Sequence, residues 1–325
     1  MSTESKFSEA AVLIGEPNAS NRETYSYAFE TKGFGKVKVV ALFPDFKDAL
    51  KQEPFDLVVC DTELPGGDLC DLVRDSRQGK LHPHNAFAVT ICLAPAPTQE
   101  ILKGTMEAGF DKVLFGSKGQ RKLFNVIGEL MKGRQTFIVK TDYVGPRRPG
   151  LDEPFPGEDE PKTVKTPNPL RLLADGSTRE DLDQVLVEVA ADLNMKKVES
   201  HVEHLLWAIE KIKNFTGVRD MDGEIRDVAG QIIDAAADLN ARIDDQALSH
   251  VRDLCDVLVL VSTRITSTSE EISSTDLELL PNLGQAIEVA FSQGETAERD
   301  AKLILESPDI VDKLVRKSVL GVRFY

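Results

Sequence analysis

Apolar and polar positions follow two different rhythms along this chain. Up to about residue 133, strand-length apolar runs are separated by helix-length segments: AVLIG (11–15), VKVVALF (37–43), FDLVVCD (55–61), AFAVTICLA (86–94) and KVLFG (112–116). Runs that are apolar throughout suit strands buried on both faces, so the spacing predicts a doubly wound parallel sheet covered by helices. NRETYSYAFETKG (21–33) and TQEILKGTMEAG (98–109) have helical spacing and each end on a glycine suited to a helix C-terminus. RKLFNVIGELMKG supplies the last helix, giving an α/β unit of (βα)5 type.

From about residue 171 the spacing turns helical. Leu182, Val185, Leu186, Val189, Leu193, Val198, Val202, Leu205, Leu206, Ile209 and Ile212 form a stripe one side wide, which predicts a long helix broken once. MDGEIRDVAGQIIDAAADLNARI and DDQALSHVRDLCDVLVLVSTRITS continue the pattern, and the stretch after residue 272 reads as two shorter helices divided at Pro281 and near Gly294. Such helices make an all-α bundle, pairing within one chain or between two copies in a homodimer. The final SPDIVDKLVRKSVLGVRFY is amphipathic with an apolar tip, able to dock on the bundle or on a partner. Between the halves, residues 145–169 hold seven of the sixteen prolines and an acidic run, read as an extended linker. The expected organisation is an α/β unit over 1–140, a linker over 141–170 and a helical bundle over 171–325.

Composition narrows the class. A chain of 325 residues with 41% hydrophobic and 29% charged residues is of globular type and long enough for two domains. No apolar run approaches the ~18 residues of a membrane span. The N-terminal MSTESKFSEA lacks the basic and apolar regions of a signal peptide, which predicts a cytoplasmic chain. A formal charge of -15 argues against a general nucleic-acid binder. Cys60, Cys70, Cys92 and Cys255 lack metal-ligand spacing, and neither a disulfide framework nor a zinc site is expected.

In an open doubly wound sheet, ligands bind beyond the carboxyl ends of the strands. Those ends carry Gly15 and Glu16, Asp61, Ala94 and Gly116. AVLIGEPNASNRETY, FDLVVCDTELPGGDLCDLVRDSR and MEAGFDKVLFGS resemble the CheY-like receiver domain of bacterial response regulators over about residues 10–133. The resemblance implies a flavodoxin-like fold with Asp61 as phosphoacceptor. It also implies Mg²⁺ held by Glu16, Asp61 and the Glu63 carbonyl, since crowded carboxylates and a phosphoryl dianion repel one another without a divalent cation. Gly15 stands where the family has a second acid, Ala94 where it has a Ser or Thr, and Gly116 where it has a Lys. The last two changes remove the hydroxyl and the cationic clamp together. Two readings follow: Asp61 accepts a phosphoryl group with an unconventional output, or the fold persists as an interaction module.

In EIRDVAGQIID (224–234), Asp227 and Gln231 share one helix face, with Gly230 beside them. DVAGQII resembles the Asp-Leu-Thr-Gly-Gln helix of CheZ-type phosphatases, with Ala229 in the threonine's place. That resemblance implies that Asp227 would engage a regulator's lysine and Gln231 would orient the attacking water. The substrate would be a separate receiver, because Gly116 removes the lysine from this chain. His201 and His204, near Glu199 and Glu203, lack a third well-spaced metal ligand, and His250 lacks the neighbours of a phosphotransfer histidine. The expected function is a two-component or chemotaxis-type signalling protein acting by binding other signalling proteins: a response regulator, a kinase or a motor component. The alternatives are a phospho-aspartate phosphatase using Asp227 and Gln231, and a regulator phosphorylated on Asp61.

Overall fold

The five apolar runs form one parallel sheet. Its strands β1 (Ala11–Gly15), β2 (Lys36–Val40), β3 (Leu57–Asp61), β4 (Val89–Ala94) and β5 (Lys112–Phe115) lie in the order β2-β1-β3-β4-β5. This is the flavodoxin-like doubly wound order, with its switch point between β1 and β3. The three inner strands are buried along their whole length, whereas the edge strands are half-buried and carry Lys36, Lys38 and Lys112. Lysines on sheet edges discourage pairing with other chains. The computed structural model describes residues 6–116, 119–150, 153, 161–243, 249–268 and 272–292.

Helices α1 (Ala19–Thr31) and α5 (Gln120–Lys132) cover one face, where Tyr25, Phe29, Leu123 and Ile127 meet Val12, Ile14, Leu57 and Val59. On the other face α2 (Phe43–Gln52) and α3 (Leu69–Arg77) bury Phe46, Leu50, Leu72 and Val73 against Leu13, Val58, Cys60 and Cys92, beside α4 (Gln99–Glu107). The run VKVVALF is strand only to Val40. Phe43 already opens α2, with Pro44 in its first turn, where a missing N–H costs no helical bond.

At the opposite end of the sheet from the candidate site, three charged side chains are almost fully enclosed. Asp111 accepts from Arg77 Nη2 at 2.8 Å, Arg134 Nε and Nη2 at 2.9 Å and the Thr90 N–H at 2.8 Å. Burial by itself would raise the Asp111 carboxyl, but the guanidinium groups of Arg134 and Arg77 hold it below its ordinary value. Both guanidinium groups also lie over the Phe137 ring, at 4.8 and 4.9 Å from its centroid.

The stretch read as a linker contributes strands at both ends. Strands β6 (Phe137–Val139), β7 (Val144–Pro146) and β8 (Lys162–Val164) form an antiparallel sheet in the order β7-β6-β8. Pro146 is tolerated because it ends an edge strand. Phe137, Val139, Val144 and Val164 are buried and belong to the same core as β1 and β3, as do Leu170 and Leu173 of α6 (Pro169–Ala174). Three-residue strands are too short to show a period, which is why proline content dominated the sequence reading.

Helix α7 (Arg179–Phe215) is unbroken over 37 residues. Leu182, Leu186 and Leu193 belong to the core of the α/β unit, and Val198, Val202, Leu205, Ile209 and Ile212 to the helical core. The five-residue step from Leu193 to Val198 therefore marks a change of packing partners rather than a break. Two compact units result, one of residues up to Glu153 and from 160 to Lys196, the other from Lys197 onward. In the second, α7 packs with α8 (Asp222–Arg242), α9 (Ser249–Ser267) and α10 (Ser274–Ser292). α10 continues through Pro281, with Leu279, Leu280 and Leu283 fully buried around it; their packing outweighs the lost backbone bond. Gly294 and the C-terminal amphipathic stretch lie outside the described residues. Among the described residues no helix is long and apolar enough to cross a membrane.

Candidate functional site

Glu16 and Asp61 meet at the carboxyl end of the sheet because β1 and β3 are neighbours there, with Gly15 beside Cys60. Both side chains are fully buried. Glu16 Oε1 accepts the Asn18 N–H at 2.9 Å, while its buried Oε2 has no hydrogen-bond partner among the described residues. Asp61 Oδ1 accepts the Glu63 N–H at 2.9 Å. Asn18 caps α1 through the Asn21 N–H, and Arg22, one turn further on, donates from Nη1 to the carbonyls of Glu16 (3.1 Å) and Pro17 (2.6 Å). A cation is thus fixed against the loop that carries Glu16.

Gly15 is glycine for a steric reason. A Cβ built there would lie 2.8 Å from Phe46 Cδ2 and 2.9 Å from Leu64 Cδ2, so two buried apolar side chains occupy the space that a side chain at 15 would need. Ala94 is fully buried at the end of β4, and its carbonyl accepts the Gly116 N–H at 3.1 Å. Gly116 has φ of +84°, with nothing within 4 Å of a built Cβ. Space for a side chain exists there, but the left-handed backbone disfavours any residue that has one.

The residues present suit Mg²⁺ in donor type. A buried carboxylate oxygen without a hydrogen bond, as at Glu16, is satisfied by a cation, and Mg²⁺ commonly takes one or two protein carboxylates and keeps several waters. Glu16, Asp61 and the Glu63 carbonyl would hold the ion, which when bound would neutralise the paired carboxylates. Among the described residues no three His, Cys, Asp or Glu side chains converge as a metal-holding group.

Tyr25 was not singled out by its sequence. It is fully buried on the inward face of α1, and its phenol is raised well above its ordinary value by burial and then by the charges of Glu16 and Asp61. The sequence signal, had it been weighed, was a tyrosine on the apolar side of a helix, where a buried hydroxyl needs a partner. Nothing in the sequence pointed to Phe46 and Leu64.

In the helical unit, Asp227 and Gln231 are both exposed, one turn apart on α8, while Ile225, Val228, Ala229 and Ile232 face the core. Ala229 is therefore a packing position. A Cβ on Gly230 would meet nothing within 4 Å, so backbone is accessible between the two polar residues. His201 and His204 have separate surroundings. His201 Nε2 lies 2.5 Å from Asp238 Oδ2, which Arg242 Nε also contacts at 2.7 Å, whereas the His204 ring stacks on Trp207. The side chain of His250 lies outside the described residues. The four cysteines are free, and burial pushes the Cys70 thiol up to about 11 and that of Cys92 to about 12, which leaves them weak nucleophiles.

No protein-family model and no curated protein sequence matches the chain. Among solved structures, it is similar to the chemotaxis response regulator CheY4 of Vibrio cholerae, with 17% identity over 37% of this chain and 98% of that one, at a TM-score of 0.34. A CheY-like receiver domain protein from Methanospirillum hungatei JF-1 is 21% identical over 37% of this chain and 91% of its own, at 0.33. The Thermotoga maritima response regulator DrrB, an OmpR/PhoB homologue, is 17% identical over 57% of this chain and 88% of its own, also at 0.33. By its strand order and its helices on both faces, the N-terminal unit has the flavodoxin-like fold of CheY-like receivers, and a helical unit follows it.

Proposed function

We propose that the chain is a two-component signalling protein that acts by docking on other signalling proteins, with its receiver-type unit serving as a binding module rather than a phosphorylation switch. The observation that carries this reading is the state of the strand ends around Asp61. Gly15 offers no carboxylate and Phe46 and Leu64 crowd any side chain there, Ala94 offers no hydroxyl, and Gly116 offers no amine on a backbone that disfavours side chains. A phosphoryl group at Asp61 would meet neither the hydroxyl nor the cation that would convert its arrival into a movement elsewhere. The expected result with acetyl phosphate and Mg²⁺ is no phosphorylated Asp61 in intact-mass spectra, under conditions that label an ordinary receiver. Labelling accompanied by a change in hydrogen exchange at β4 or β5 would sink the reading.

A second reading is supported by α8. Asp227 and Gln231 stand exposed one turn apart with open space over Gly230, an arrangement that lets another protein's backbone approach an acid and an amide together. On this reading the helical unit removes the phosphoryl group from a separate response regulator, with Gln231 orienting water. Gln231→Ala is expected to return the decay of a phosphorylated chemotaxis regulator to its unassisted rate, a loss of ~10²-fold or more for a residue that positions the nucleophile. Equal decay with wild type and variant would remove the enzyme reading and leave the docking reading in place.

A further inference from the structure

Between the end of α5, the exit of β8, α6 and the first turns of α7, a cavity of about 510 Å³ opens on the surface of the α/β unit. Met131, Leu172, Val185 and Val189 form its walls, each half-buried, so apolar side chains still meet solvent there. The polar side chains of its floor are occupied within the fold. Arg134 directs its donors to Asp111 and to the carbonyls of Phe87, Ala88 and Pro167. Asn168 donates to the Leu130 carbonyl and accepts the Arg171 N–H, and the Thr166 hydroxyl donates to the Val164 carbonyl and accepts the Phe137 N–H. The rim differs. Lys165 is exposed and has neither an ion pair nor a hydrogen bond among the described residues. Arg171 meets Asp175 through Nε at 3.4 Å with both side chains more than half exposed, a contact worth little. Among the described residues no acidic side chain lines the cavity, in a chain with 54 acidic and 39 basic residues. Apolar walls with a few placed polar groups, at this volume, are the usual make-up of a small-ligand site. Two cations at the rim and no carboxylate decide the sign of what it takes.

We propose that this cavity binds a small amphipathic anion, its apolar body against Met131, Leu172, Val185 and Val189 and its carboxylate or phosphate head at Lys165 and Arg171. The head stays at the rim, because a charge carried inward would lose water without gaining a partner while the floor donors are taken. The walls supply most of the affinity, and the two cations supply the preference for an anion over a neutral molecule of the same shape. The site goes beyond the docking reading above and stands or falls without it.

Decanoate, kept below the concentration at which it forms micelles, is the probe, with decanol as its neutral counterpart. Each is titrated into the full chain while the methyl resonances of Val185 and Val189 are followed by NMR. Decanoate is expected to shift both, with an affinity roughly 2- to 30-fold above that of decanol, the range for two exposed charge contacts. Lys165→Ala combined with Arg171→Ala should remove that preference and leave the affinity for decanol within about twofold of wild type. Val185→Trp puts an indole into the cavity from a residue that is not part of the core, and should abolish the Val189 shift with both probes. No shift with decanoate, equal affinities for the two probes, a preference that the double variant keeps, or a Val189 shift that survives Val185→Trp would each overturn the proposal. So would cosedimentation with phosphatidylglycerol vesicles that needs Lys165 and Arg171 while free decanoate shifts nothing, since the cations would then serve a lipid surface and not the cavity.

Discussion

Replacing Asp111 by asparagine is expected to destabilise the α/β unit more than any other single change of charge in it. The carboxylate and the Arg77 and Arg134 side chains are each 1–2% exposed, and Asp111 Oδ2 alone accepts from both guanidinium groups. Arg77 also donates to the carbonyls of Gly109, Ala86 and Ala88, and Arg134 to those of Ala88 and Pro167. The network therefore ties α3, the starts of β4 and β5, and the approach to α6 into one piece. An asparagine side chain keeps the volume but removes the charge, leaving two buried cations facing each other over Phe137. Breaking a buried ion pair from one side costs about 3–5 kcal/mol, against about 5–15 kcal/mol for the whole stability of a typical domain. The contribution has a pH window as well. Because the folded carboxyl is held below its unfolded value of about 3.9, the stabilisation is complete above that pH and is lost as the pH falls further, through the folded value. Hydrogen exchange of β4 and β5 peptides checks the claim, with Lys103→Ala as the control. Lys103 pairs with Glu107 only at 3.8 Å and is 73% exposed, so its loss should be within about 0.5 kcal/mol of neutral. An Asp111→Asn variant no less protected than Lys103→Ala would show that the network carries no stability.

That network was invisible to sequence reading for a physical reason. Arg77, Asp111 and Arg134 each look like an ordinary surface charge at the end of its own element, and only the fold encloses them together. The inner strands were legible because β1, β3 and β4 are buried on both faces and so print continuous apolar runs. Glu16 and Asp61 stood out because strand ends in an open α/β sheet are where ligand groups collect. The short strands β6, β7 and β8 left no period to read. The long stripe on α7 was correctly helical, but one-dimensional spacing cannot tell a kink from a change of packing partner.

A carboxylate placed at position 15 is expected to destabilise the α/β unit. The sequence shows only a glycine there; the packing shows that the room for a side chain has been taken. A Cβ at 2.8–2.9 Å from Phe46 and Leu64 is closer than real Cβ atoms come, and Phe46 is fully buried with no free volume to retreat into. Gly15→Ala alone should therefore cost ~1–3 kcal/mol by overpacking. Gly15→Asp sets an unpaired carboxylate against Phe46 and Leu64 on the α2–α3 face, and an unpaired buried charge costs several kcal/mol more. The order of stability is predicted as wild type, then Gly15→Ala, then Gly15→Asp, measured by hydrogen exchange of the β1 and β3 peptides. Phe46→Ala combined with Gly15→Asp separates the two causes, since removing the ring relieves the clash and leaves the charge. If the double variant regains protection that Gly15→Asp alone loses, the clash with the Phe46 ring carries the cost; if it does not, the buried charge does. A Gly15→Asp chain as stable as wild type would show that Phe46 and Leu64 yield freely.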